Sequence, residues 1–211
     1  ENKLVILGAG ESGIGAAILG KKKGYEVFVS DQNNIQKELQ TLLDKEGIQW
    51  ESGQHSLEAM QEAHLVVKSP GISSDIPLIK ALKAQGKTIC SEIEFAAQHT
   101  AATLIGITGT NGKTTTTLLT YQILKDAGLH VGLAGNIGNS FALQVAQTDF
   151  DFYVLEISSF QLDDIQNFAP HIALITNITP DHLDRYNYSF ESYIHNMQMH
   201  LSSWNFDCTY V

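Results

Sequence analysis

The sequence predicts an α/β protein whose strands lie in two successive parallel sheets. Three observations carry this expectation. Short β-rich apolar runs alternate with helical patterns; the alternation falls into two series; and each series opens with a strand feeding a glycine-rich turn.

In the first series, residues 3–7, 27–30, 65–67 and 88–90 read as strands, separated by helical patterns at about 13–23, 35–46 and 76–85. The second series begins with a strand at 103–107 and a helix after Lys113, and continues with strands at 131–134, 152–155 and 172–176. No Pro/Ser-rich linker separates the two. The boundary is expected between 92 and 100, giving a domain at 1–92 and a second at 93–211.

A chain of 211 residues with 43% hydrophobic content can bury one good core or two small ones. Its 13 Lys+Arg against 23 Asp+Glu leave a net charge of −10, the wrong sign for nonspecific binding to nucleic acid. An anionic ligand must therefore be gripped locally, by backbone amides and single lysines. The adjoining Lys21, Lys22 and Lys23 read as a solvated helix end. Cys90 and Cys208 stand far apart in sequence and fit no disulfide or zinc pattern. No run approaches the roughly 18 apolar residues of a membrane span, so a soluble, cytoplasmic protein is expected.

Gly8-Ala9-Gly10-Glu11-Ser12-Gly13 fits G-x-G-x-x-G between a strand and a helix, so its bare backbone can meet a phosphate at the helix N-terminus. Asp31 ends the next strand, where a dinucleotide enzyme would bind a ribose hydroxyl. An NAD-dependent reading, and a tight turn without ligand, both stay open on this segment alone.

Gly109-Thr110-Asn111-Gly112-Lys113-Thr114 follows a strand and opens a helix, the setting of a nucleoside-triphosphate loop. Its amides can cradle phosphates, Lys113 can offset their charge and the Thr114 hydroxyl can ligate Mg²⁺. The full pattern places glycine six positions before the lysine. Here that position is Ile107, so the loop is a shortened variant. The strand at 152–155 leads into Glu156, where a second Mg²⁺ ligand is expected, followed by Ser158, Ser159 and Gln161. The last strand leads to Asn177 and then Asp181 and His182, the histidine a candidate metal ligand or base.

Together these residues resemble the Mur ligases, which join an amino acid to a UDP-muramoyl substrate in cell-wall synthesis. The resemblance runs to about Tyr193. Residues 109–114 are similar to the family's ATP loop, 134–138 to its substrate-facing loop, and Asp181-His182 to its metal-binding segment. Within the family, 69–72, 156–162 and 181–186 resemble the member that adds D-glutamate to UDP-N-acetylmuramoyl-L-alanine.

The resemblance implies that a Rossmann-like domain at 1–92 holds the UDP part of the substrate. Gly10, Glu11, Ser12, Asp31, Gln32, Ser69, Pro70 and Gly71 are then its contacts. It implies an ATP-binding domain at 93–211 that uses Gly109, Thr110, Asn111, Gly112, Lys113, Thr114 and Thr115. Lys113, Glu156 and His182 become catalytic, with Thr114, Glu156 and His182 holding Mg²⁺, and Asn136, Ser158 and Gln161 positioning the muramoyl-alanine end. A monomer is expected, with ATP and Mg²⁺ as cofactors and no nucleic acid or membrane as partner.

The family also carries a C-terminal amino-acid-binding domain and a longer central domain than these residues hold. The resemblance thus leads us to expect a truncated chain that binds the UDP-substrate without completing ligation. Met197 stands where similar ligases have a carbamylated lysine that binds metal, so the second Mg²⁺ site is expected to be incomplete. Rival readings are a ligase for another amino acid, a UDP-sugar-binding module, and an NAD-dependent dehydrogenase, which leaves the second phosphate loop idle.

Overall fold

Strands β1 (Lys3–Leu7), β2 (Glu26–Asp31), β3 (Gln49–Ser52), β4 (Leu65–Lys68) and β5 (Thr88–Ser91) form one sheet in the order β3-β2-β1-β4-β5, every neighbouring pair parallel. The computed structural model describes residues 2–162, 165–180, 189–191 and 194. It divides into a first unit of Glu1–His99 with Ser140–Thr148 and a second of Thr100–Asn139 with Asp149–Val211.

The first unit follows from its hydrophobic pattern. Leu4, Val5, Ile6 and Leu7 are all fully buried, as a central parallel strand covered on both faces requires. Helices α1 (Glu11–Lys22), α2 (Lys37–Lys45), α3 (Leu57–Met60), α4 (Pro77–Ala84) and α5 (Glu92–Ala97) supply the crossovers and the cover. Val5, Leu7, Met60, Ala63, Val66, Ile79, Leu82 and Ile89 make one core cluster. Each fully buried aliphatic side chain contributes about 1.5–3 kcal/mol. The strand order reverses between β1 and β4, since β2 and β3 extend one side of β1 and β4 and β5 the other. The crevice beyond the carboxyl ends of β1 and β4 is therefore where a ligand of this fold binds.

In the second unit, β6 (Thr103–Thr108), β7 (Val131–Gly135), β8 (Phe152–Glu156) and β9 (Ile172–Ile175) lie in the order β7-β8-β6-β9, again all parallel. Helix α6 (Lys113–Asp126) crosses from β6 to β7, and α8 (Ser159–Leu162) follows β8. Ile105, Ile107, Val131 and Val154 form a core cluster on which Tyr121 and Leu124 of α6 pack.

One further helix, α7 (Phe141–Gln147), falls between β7 and β8 in sequence yet belongs to the first unit. The sequence places one boundary between 92 and 100; the structure adds Ser140–Thr148 to the first unit. The physical reason is local. Phe141, Ala142, Val145 and Ala146 of α7 are buried, and Gly15 of α1 has no side chain to hold it off: a Cβ there would lie 2.0 Å from Ser140 Oγ.

The N-terminus of α7 is held by acidic side chains. Ser140 Oγ donates to Glu92 Oε1 at 2.7 Å, the Ala142 amide donates to the same oxygen at 2.6 Å, and the Ser140 amide donates to Glu11 Oε1 at 3.0 Å. Burial pushes the Glu92 carboxyl up from 4.5 to about 6; the Ala142 and Ser140 hydrogen bonds oppose this rise, and the Glu11 carboxylate adds to it. The native state therefore binds this proton more tightly than the unfolded chain. The resulting stability is full below pH 4.5 and is lost as pH rises through about 6. Glu92→Gln keeps the accepting oxygen without the charge. Urea unfolding should show the variant gaining about 2 kcal/mol on the wild type between pH 4.5 and pH 7. A constant difference across that range would remove the buried charge from the account.

Candidate active site

In the first unit, β1 runs into the turn that opens α1. Gly8 sits at φ 95°, and a Cβ there would lie 2.5 Å from Ser69 Oγ, so the turn needs glycine on both counts. Gly13 is equally constrained: its Cβ would meet the Gly8 carbonyl oxygen at 1.9 Å. Gly10, by contrast, caps α1 with extended backbone, no side-chain capping bond and, among the described residues, nothing within 4 Å of where a Cβ would project. Nor, among the described residues, is anything within 4 Å of where a Cβ would project at Gly71, across the crevice. The helix start thus presents bare backbone to open space, which suits a phosphate.

Asp31 is not an idle carboxylate. Its Oδ2 accepts the Ala9 amide at 2.7 Å and its Oδ1 the Asn33 amide at 2.8 Å, which ties the glycine turn to the end of β2. Glu11 points to the Ser140 amide. Ser12, Ser69 and Pro70 are half-buried around the crevice, and Gln32 is exposed.

In the second unit, β6 gives way to Gly109 at φ 130° and Gly112 at φ 81°, and Gly112 caps α6 without a side-chain bond. A Cβ on Gly109 would strike Thr176 Oγ1 at 2.3 Å. The loop is held from the end of β9. The Asn111 amide donates to Asn177 Oδ1 at 3.0 Å, Asn177 Nδ2 donates to the Asn111 carbonyl at 2.8 Å, and Thr110 Oγ1 donates to the Thr179 carbonyl at 3.1 Å. Lys113 Nζ donates to the Thr110 carbonyl at 2.9 Å, folded over its own loop. Thr114 and Thr115 are exposed in the first turn of α6.

Glu156 ends β8, in register with Ile107 of β6 and Gly135 of β7. It is 1% exposed. Oε1 accepts Asn136 Nδ2 at 2.7 Å, whereas Oε2 is buried with no hydrogen-bond partner among the described residues. A buried carboxylate oxygen left unpaired is costly, and a hard divalent cation offsets that cost. Carboxylate and hydroxyl oxygens are the donors Mg²⁺ prefers, so Glu156 and Thr114 fit it. Beyond β8, Gln161 Oε1 accepts both the Ser158 amide at 2.9 Å and the Ser158 hydroxyl at 3.1 Å, so Gln161 sets the orientation of Ser158. Asp181, His182 and Met197 lie outside the described residues.

Sequence reasoning missed the supports of these residues. Thr176 and Thr179 brace the phosphate loop, Glu92 holds α7, and Lys68 lies buried beneath the turn at 69–72. A lysine closing an otherwise apolar strand was the available signal for the last.

Comparison with known proteins accords with this geometry. Residues 2–91 match the Mur ligase MurD-like N-terminal domain and residues 107–203 the Mur ligase middle domain. The chain belongs to the Mur ligase family. It is 59% identical over 192 residues to a UDP-N-acetylmuramoylalanine–D-glutamate ligase of Bacteroides fragilis, covering 91% of this chain and 43% of that protein. A protein of the same name from Cytophaga hutchinsonii is 53% identical over 193 residues, with 90% and 43% covered. The chain thus spans less than half the length of these curated relatives. Among solved structures, the UDP-N-acetylmuramate:L-alanyl-γ-D-glutamyl-meso-diaminopimelate ligase from Neisseria meningitides shares the fold with a TM-score of 0.63 at 21% identity, covering 96% of this chain and 68% of that one. The UDP-N-acetylmuramate-alanine ligase from Thermotoga maritima does so at 0.60 and 22%, covering 97% and 48%.

Proposed function

We propose that the two units are the UDP-substrate-binding and ATP-binding parts of a ligase that joins D-glutamate to UDP-N-acetylmuramoyl-L-alanine in peptidoglycan synthesis. It acts as a cytoplasmic monomer, without nucleic acid or membrane. Among the described residues no helix is long and apolar enough to cross a membrane. The observation that carries the reading is the buried Oε2 of Glu156, unpaired among the described residues and one strand away from the Gly109–Thr114 loop. A turn without a ligand has no use for such a group.

On this reading the substrate's terminal carboxylate attacks the γ-phosphorus of ATP, ADP leaves, and the amine of D-glutamate displaces phosphate from the acyl phosphate. The protein's share is positioning and charge neutralisation. Mg²⁺, when bound, neutralises phosphate charge as the phosphoryl group transfers. Thr114 and Glu156 would hold it, and His182 would contribute to a second metal site. The amides of Gly109 and Gly112 donate to phosphate oxygens, Thr110 and Asn111, whose own amides are held by Asn177, shape the loop around them, Thr115 borders them, and Lys113 offsets the charge on the γ-phosphate. Asn136 and Ser158, the latter set by Gln161, orient the muramoyl-alanine end. In the first unit, Gly10, Ser12, Ser69, Pro70 and Gly71 face the diphosphate and Gln32 the uridine. Asp31 shapes the turn, and Glu11 keeps α7 in place beside it.

A thermal-shift panel tests the assignment. UDP-N-acetylmuramoyl-L-alanine and Mg-ATP should each raise the melting temperature, and NADH should not, because a ligand stabilises the state that binds it. Stabilisation by NADH alone would replace this reading with the dehydrogenase.

A further inference from the structure

Helix α6 lays one stripe on its sheet, where Tyr121 and Leu124 pack on the cluster of Ile105, Ile107, Val131 and Val154. Thr117 stands one turn before Tyr121 on the same stripe and is 0% exposed, alone among the described residues of α6 in being fully buried. An aliphatic side chain would fill that place without burying a polar atom. Thr117 instead brings a hydroxyl, and its Oγ1 has no hydrogen-bond partner among the described residues. The usual remedy in a helix is a bond back to the carbonyl four residues earlier. Thr120 makes it, donating to the Thr116 carbonyl at 2.9 Å, and Thr117 does not.

The register of the sheet places Glu156 in the same layer. It pairs with Ile107 of β6 and follows Val154 by two residues, so it shares the face of β8 that α6 covers and lies nearer the carboxyl edge. Thr117 likewise lies nearer that edge than Tyr121, because α6 starts just beyond the end of β6 and runs back along the sheet to β7. The layer between helix and sheet thus holds two buried oxygens unpaired among the described residues, Thr117 Oγ1 and Glu156 Oε2. Thr114, whose hydroxyl fits Mg²⁺, stands one turn earlier on α6. Each orphan alone is costly. A hydrated cation meets both needs, since Mg²⁺ takes carboxylate oxygen and keeps several waters, whose protons need acceptors.

We propose that Thr117 is a positioning residue of the nucleotide site, its hydroxyl accepting a hydrogen bond from a water of the Mg²⁺ that Thr114 and Glu156 would hold. This deepens the proposed function and rests on it. The hydroxyl ties the cation's water shell to the helix that carries Lys113 and Thr114. A threonine kept for packing alone would serve as well as valine, and one kept for a resident water would matter most to the empty protein.

The test is calorimetric titration of Mg-ATP, of ATP in EDTA and of UDP into the wild-type chain and the Thr117→Val and Thr117→Ser variants, with a melting curve of each ligand-free protein. Mg-ATP affinity should fall about tenfold in Thr117→Val, the loss expected for one buried hydrogen bond in a charged site. Thr117→Ser, which keeps the hydroxyl, should stay near the wild type. Metal-free ATP and UDP should bind both variants as they bind the wild type, and the ligand-free melting temperature of Thr117→Val should equal or exceed the wild-type value. Unchanged Mg-ATP affinity in Thr117→Val would overturn the proposal, as would equal losses with and without Mg²⁺ or an equal loss in Thr117→Ser. A lower ligand-free melting temperature with Mg-ATP binding intact would assign the hydroxyl to a resident water and overturn it too. If the wild type binds UDP but no Mg-ATP, the functional reading of the second unit fails and the proposal falls with it. Should Thr117→Val not fold, Thr117→Ala takes its place, and failure of both to fold would show a structural role and overturn the proposal.

Discussion

Replacing Lys113 by methionine in a full-length ligase that carries these two units is expected to cut ATP-dependent phosphate release by about three orders of magnitude. Binding of the UDP-substrate should be nearly untouched. The geometry explains both halves. Lys113 is the first residue of α6, set by the left-handed Gly112, and its Nζ already lies over the loop on the Thr110 carbonyl. With nucleotide bound, the ammonium needs only to exchange one oxygen for another, so little is lost in ordering a flexible side chain at the moment of reaction. Methionine keeps the length and the packing but neither charge nor donor. The effect should therefore appear in turnover and not in the melting temperature of the ligand-free protein. An unchanged turnover rate would remove Lys113 from the machinery.

The strands and turns that matter most to this assignment were legible in the sequence because they are the parts that leave least choice. An apolar run such as 4–7 can only be a doubly covered strand or a buried helix segment, and the glycines that follow it decide for the strand. The glycine pattern is likewise forced: Gly8 and Gly13 cannot carry a Cβ in this turn, and Gly109 cannot beside Thr176. Strand β3, by contrast, has no apolar run to betray it. Gln49–Ser52 lies at the edge of its sheet, none of its residues fully buried, and the alternation that marks a half-covered strand is too short there to read.

Helices α5 and α7 were missed for another reason. Ser91, Glu92, Ile93 and Glu94 carry the serine-then-glutamate spacing of a helix start, and Ser91 Oγ indeed accepts the Glu94 amide at 3.1 Å. Ser140 opens α7 in the same way, on the Leu143 amide at 3.2 Å. Both signals are a few residues long and precede short helices, so helical periodicity has no room to develop. That α7 joins the first unit depends on Gly15 and Glu92, residues far away in sequence whose meaning appears only once the chain has folded.

The candidate site divides along similar lines. Lys113, Thr114 and Glu156 follow from strand-to-helix grammar, because a parallel sheet collects the residues after its strands along one edge. Partnerships do not follow. Nothing in the sequence pairs Asn136 with Glu156, or Gln161 with Ser158, or binds Asp31 to the Ala9 amide. The candidate contacts Glu11 and Gln161 illustrate the cost, since each has a structural partner that a motif cannot reveal.

Those partnerships set the second large effect, at Glu156. Asn136 satisfies one oxygen of this carboxylate at 2.7 Å and leaves the other buried and unpaired among the described residues. The ligand-free protein therefore carries a destabilising group, of about 1–3 kcal/mol for an unmet buried acceptor and more if charged. Glu156→Gln removes the charge at nearly constant volume and keeps an oxygen for Asn136. Two opposite results are expected from one variant. Without ligand, its melting temperature should equal or exceed that of the wild type. With Mg-ATP, the stabilisation seen in the wild type should largely disappear, because a neutral amide oxygen is a poor substitute for a carboxylate on Mg²⁺. A residue kept only for the fold would behave the other way, losing stability on substitution and leaving the response to Mg-ATP intact, and that outcome would take Glu156 out of the metal site.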